Sequence, residues 1–146
     1  MKTNKKTRRE ERRTVMELLF SASFRRDESA DGILLIAEED ESFSPYIRNT
    51  FLGASAFIPE ADKLIEKDSK NWKVSRLSPV TSAILHLAVY EMLGSDVPPK
   101  VVINEAVKLA KEYDDESAPP FINGILNRIG RESGVIGKEA VSRGED

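Results

Sequence analysis

The segment from Pro79 to Leu93 limits the possible folds more than any other. Drawn as a helix, it carries Val80, Ala83, Ile84 and Leu87 on one side and Leu85, Ala88, Val89 and Met92 on another. A helix that is apolar nearly all round has no face to give to water, so it must lie centrally with other elements around it. At 146 residues the chain is long enough to supply them as one domain with a sizeable core. Ser78-Pro79 provides a cap and a first-turn proline, and Gly94 a stop. His86 lies inside this helix with no second histidine and no cysteine to join it. It is expected to be hydrogen-bonded or at the helix rim rather than to hold a metal.

The rest of the chain supplies amphipathic partners. Val15, Leu18, Leu19 and Ala22 repeat at helical spacing, with Arg8 and Arg12, and likewise Arg9 and Arg13, stacked four apart upstream. The arginines are expected to project from an apolar anchor. A short helix is expected near 29–40, with an acidic end at the wrong pole of its dipole. Ser44-Pro45 starts a third, through Tyr46, Ile47, Thr50, Phe51, Ala54 and Phe57. Pro59 is expected to end or kink it at Ile58, and a further helix, with Ala61, Leu64 and Ile65 inward, to fade into residues 68–71. Trp72, the only tryptophan, reads as a core or rim anchor. A helix over about 99–113 should turn Val102, Ala106, Leu109, Ala110 and Tyr113 inward, with Glu105, Lys108, Lys111 and Glu112 outward. After the acidic loop 114–117, Pro119-Pro120 open a last helix striped by Ile122, Ile125, Leu126 and Ile129. Gly124 within it suggests a close backbone approach. The class is all-α, six to seven helices in two packed subdomains around the apolar central one. Residues 1–7 read as a flexible basic arm, 8–132 as the helical domain and 133–146 as a disordered tail.

Charge is unevenly placed. Net charge is −3, yet residues 1–26 hold nine Lys/Arg against three Glu, leaving 13 basic and 22 acidic residues elsewhere. That asymmetry points to an anion-binding face on an acidic body, or to a solvated basic tail. Without cysteine there are no disulfides or thiolate metal sites, and the cytoplasm is the simplest home. No run of 18 apolar residues and no apolar segment behind the basic start suggests a membrane span or signal peptide. Neither a cysteine nucleophile, nor a partnered histidine, nor a phosphate-cradling glycine loop is present. The expectation is a binding module with no catalytic residue, no metal ligand and no cofactor.

Three blocks carry a resemblance. They are Leu77-Ser78-Pro79-Val80 running into Tyr90-Glu91-Met92-Leu93, then Val102-Ile103-Asn104-Glu105-Ala106-Val107, then Phe121-Ile122-Asn123-Gly124-Ile125-Leu126-Asn127. With Arg8-Arg9-x-x-Arg12 and Leu19-Phe20 ahead of them, the chain resembles the NusB family of bacterial transcription antitermination factors. The resemblance implies binding of boxA-type single-stranded RNA in nascent ribosomal transcripts. It also implies NusE, a small-subunit ribosomal protein, as partner, and the RNA polymerase antitermination complex as the target. Carried over by position, Arg8, Arg9 and Arg12 match the family's basic RNA-contacting motif. Phe20 matches an aromatic on the same helix, and Ser117 and Phe121 fall on the RNA-facing edge. Asn104 and Glu105 are expected to hold a helix junction. Glu11 and Val15 stand where small residues are usual, and Glu17 where glutamine is usual. The same fold also serves as an RNA-substrate module in certain ribosomal RNA cytosine methyltransferases, and an adaptor for proteins alone is a further reading.

Overall fold

The computed structural model describes residues 5–67 and 73–137. Among the described residues six α-helices follow one another: α1 (Arg8–Ala22), α2 (Ala30–Ala37), α3 (Pro45–Glu66), α4 (Pro79–Gly94), α5 (Pro99–Tyr113) and α6 (Ala118–Glu132). A single 3₁₀ turn, Val74–Arg76, precedes α4, and the described residues contain no strand. Trp72, residues 1–4 of the arm, the expected fade at 68–71 and residues 138–146 of the tail lie outside the described residues.

The all-apolar helix is indeed the centre. α4 packs against α1, α3, α5 and α6, and Leu85 and Val89 are fully enclosed. The first three helices contact one another, as do the last three, and the two groups meet along α4. Serine caps set the starts: Ser29, Ser44 and Ser78 each accept a backbone N–H from the third residue on. Thr7 and Glu10 form a reciprocal capping box for α1, a Thr-x-x-Glu signal present in the sequence but not read from it. The arm residue Lys6 pairs with Glu41 at 2.8 Å and donates to Thr14 at 3.0 Å.

Four expectations need correction. Pro59 does not end the third helix, because α3 runs unbroken from Pro45 to Glu66. Pro59 lies on the exposed face, where a carbonyl deprived of its donor can be solvated. Buried Ala54, Ala61 and Ile65 on the opposite face hold both halves to the same core. Tyr113 is exposed rather than inward, at the end of α5, while Ile103 takes up core volume instead. Gly124 meets nothing within 4 Å of where a Cβ would stand. The close approaches are at Gly53, which admits the Tyr90 ring between α3 and α4, and at buried Gly130, which admits Ile136 and Met92. Finally, the segment expected to be loose after Ser133 begins with a built helix stop. Gly134 takes φ +82°, and the Ile136 N–H donates back to the Gly130 carbonyl at 3.0 Å. The second helix closes at Ala37, short of residue 40, in line with its unfavourable acidic end.

Candidate nucleic-acid interface

The first half of α1 carries four arginines, and each is met by a carboxylate. Arg8 pairs with Glu11 on its own helix at 3.0 Å. Its guanidinium carbon also lies over Tyr46, 3.9 Å from the ring centroid, a cation–π geometry. Arg9 forks onto Glu105 of α5, with Nε to Oε1 at 3.1 Å and an Nη to Oε2 at 3.2 Å. Hydrogen bonding and charge from Glu105 raise the Arg9 pKa further. Glu105 is partly buried, which would lift its own pKa, but Arg9 outweighs that and holds it below the usual carboxylate range. Arg13 reaches Glu112 of α5 at 3.2 Å and stands 5.9 Å from the Tyr113 ring.

Arg12 does not project. It is 6% exposed, and its Nε donates to Glu91 of α4 at 2.8 Å. Glu91, 2% exposed, accepts from the Tyr46 hydroxyl of α3 on its other oxygen at 2.6 Å. Burial works against the Arg12 charge, yet the bond to Glu91 and its charge raise the pKa overall. Burial, with Glu91 beside it, likewise pushes the Tyr46 hydroxyl well up. One carboxylate thus ties α1, α3 and α4 together. The expectation that Arg12 offers its charge to solvent with its neighbours is corrected by this burial.

The other candidates lie further along. Phe20 is half-buried near the end of α1, edge-to-face with exposed Phe24 at 5.1 Å between centroids. It stands about 18 Å along the helix from Arg8 at 1.5 Å per residue. Ser117 is exposed ahead of α6, and its hydroxyl and N–H both donate to Asp115. Phe121 is half-buried against the core in the first turn of α6. Pairing Arg9 with Glu105 and Arg13 with Glu112 makes α1 and α5 run the same way. The ladder therefore points toward the loop that carries Ser117. Of the two residues expected to hold a helix junction, Glu105 accepts from Arg9 across α1 and α5, while Asn104 is exposed on α5.

The sequence places Tyr46, Glu91, Arg13, Glu112 and Tyr113 on their helices but does not assign them to this site. Only Glu91 had a signal: a lone carboxylate in a helix apolar all round needs a buried cation. His86, half-buried, bonds Asp62 of α3 at 2.6 Å. Among the described residues no group of three or more His, Cys, Asp or Glu is arranged to hold a metal ion. No described helix is long and apolar enough to cross a membrane.

Similar proteins share this arrangement of chain. Transcription antitermination protein NusB of Acetivibrio thermocellus is 41% identical over 126 residues, covering 84% of this chain and 87% of its own. The same-named protein of Thermoanaerobacter sp. (strain X514) is 43% identical over 90 residues, 62% of this chain and 64% of its own length. The chain therefore spans just under two thirds of that relative in the aligned region. Among solved structures, T. maritima NusB matches with a TM-score of 0.77 and 38% identity, over 88% of this chain and 94% of that one. A chain in the crystal structure described as a plectonemic RNA supercoil matches with a TM-score of 0.74 and 29% identity, over 86% and 95%. With the family model matching residues 9–131, nearly the whole helical body, the chain belongs to the NusB family.

Proposed function

We propose that this protein is a non-catalytic transcription antitermination factor of the cytoplasm. It binds boxA-type single-stranded RNA of nascent ribosomal transcripts together with NusE, a small-subunit ribosomal protein, and so modifies elongation by RNA polymerase. The observation that carries the reading is the pair of half-exposed guanidinium groups, Arg8 and Arg9, on the first turn of α1, with side chains 54% and 55% exposed. The Arg8 guanidinium, held over the Tyr46 ring, still has outer N–H groups to offer a base or phosphate. The likeness to relatives named as antitermination proteins, and to a chain in a structure described by its RNA, supports the same reading.

In this reading Arg8 and Arg9 touch RNA, and Arg12 acts through the helix it anchors. Phe20, Ser117 and Phe121 form a second wall on the edge toward which the ion-pair ladder runs. The test is fluorescence anisotropy with a boxA-like RNA, a scrambled RNA and duplex DNA, with and without the ribosomal partner. Preference for the boxA-like strand, strengthened by the partner, is expected. Arg9→Ala weakens it while helicity by circular dichroism stays unchanged. Equal weak binding to all three under every condition sinks the antitermination reading and favours a protein adaptor.

A further inference from the structure

The carboxylates that meet Arg9 and Arg13 come from another helix and lie 96 and 99 residues away in sequence. Their geometry is the one phosphate would use. Arg9 presents its fork to both oxygens of Glu105, as an arginine presents it to two oxygens of a phosphodiester. Arg13 places an Nη at 3.4 and 3.2 Å from the two oxygens of Glu112, while its buried Nε has no hydrogen-bond partner among the described residues. Both arginines keep partly exposed side chains, and so does Glu112, at 52%. Glu105 is only 15% exposed, so that pair is open to exchange from the Arg9 side, whereas the Arg13–Glu112 pair is open on both sides. Lys108, 3.7 Å from Glu105, remains as a second cation for that carboxylate when Arg9 leaves it.

We propose that Glu105 and Glu112 are tethered counter-ions for the α1 arginines, which RNA phosphates must displace, and that they set how strongly and how salt-dependently this protein holds RNA. The proposal rests on the RNA-binding reading above. A free arginine that neutralises a phosphate releases a mobile cation from the nucleic acid, and binding then falls steeply with salt. Here the arginine already has an anion, which stays nearby once displaced and offsets part of the gained positive charge. Contacts made by phosphate alone are therefore weak. Any strand whose bases add nothing falls below useful affinity, and only a strand with base contacts stays bound.

The experiment measures affinity against salt for the wild type, for Glu105→Gln/Glu112→Gln, and for a control of equal charge change. Glu60→Gln/Glu132→Gln serves as that control, since those residues pair with Lys63, Lys67 and Arg128 and with no α1 residue. The boxA-like and scrambled RNAs are the probes. The α5 double variant is expected to bind both RNAs about three- to tenfold more tightly at low salt, the scale of two exposed ion pairs. Its log–log salt slope is expected to steepen by about one, against roughly 0.7 per phosphate for single strands. Unchanged affinity and slope, in a protein whose wild type still prefers the boxA-like RNA, overturns the tethered counter-ion role and leaves the RNA reading standing. An equal gain in the control overturns it as well, by reducing the effect to overall charge. A wild type that prefers neither RNA overturns both.

Discussion

Replacing Arg12 by alanine should damage stability far more than replacing any other α1 arginine. The side chains of Arg12 and Glu91 are 8% and 3% exposed, so neither charge has water to fall back on. Without Arg12, Glu91 Oε1 loses its partner and the carboxylate keeps only the Tyr46 hydroxyl on Oε2. Breaking one side of a buried pair costs about 3–5 kcal/mol, mostly from the orphaned charge. A domain of this length has roughly 7–22 kcal/mol in total at 0.05–0.15 kcal/mol per residue, so the loss is a large share. At roughly 2–4 °C per kcal/mol, the midpoint should fall by about 6–20 °C in calorimetry or a circular dichroism melt. Removing the partner too, as Arg12→Met/Glu91→Met, leaves no stranded charge and should recover most of that loss. If Arg12→Ala melts within about 2 °C of the wild type, or the double variant is worse than either single one, the buried-pair account is refuted.

The two glycines should respond in opposite directions. Gly124→Ala adds a methyl group where nothing lies within 4 Å and should stabilise α6 by about 1 kcal/mol, whereas a lower melting point would expose a hidden constraint. Gly53→Ala drives its Cβ into the Tyr90 ring and should cost about 1–3 kcal/mol by prising α3 from α4, which an unchanged melt would refute. Acid should also weaken the fold. Backbone N–H donation from Thr7 lowers the Glu10 pKa, Arg48 lowers that of Glu38, and Ser117 lowers that of Asp115. Carboxylates depressed in the folded state add stability that is present above their unfolded values, near 4.5 for Glu and 3.8 for Asp, and is lost as pH falls through the lower folded values. Melting points should therefore be level above about pH 5 and decline below 4.5, and a flat profile down to pH 3 would contradict these bonds.

Much of the fold is written locally. Ser44-Pro45 and Ser78-Pro79 name their helix starts because cap and first-turn geometry involve only adjacent residues. The central place of α4 follows from having no polar face, whatever its neighbours are. What escaped reading is decided across the chain. Pro59 looks like a breaker until the burial of Ala54, Ala61 and Ile65 against one core overrides its local cost. Tyr113 belongs to an apolar stripe, but the stripe outlasts the surface that covers it. Arg9, Arg12 and Arg13 read as free positive charge because their carboxylates lie 79 to 99 residues away. Spacing on one helix reports which residues share a face, not what that face meets.

Arg128 closes the other end of the molecule in a way that bears on how it is made. From the middle of α6 its guanidinium donates to the Leu64 and Ile65 carbonyls at 3.1 Å, satisfying acceptors in the last turn of α3. The third helix is thus finished by a side chain synthesised more than sixty residues later. A nascent chain that has released only the first three helices carries a frayed α3 end and lacks the central helix its apolar face requires. A chain that ends before residue 128 leaves those two α3 carbonyls without their donor, so the end of α3 should fray and melt ahead of the rest.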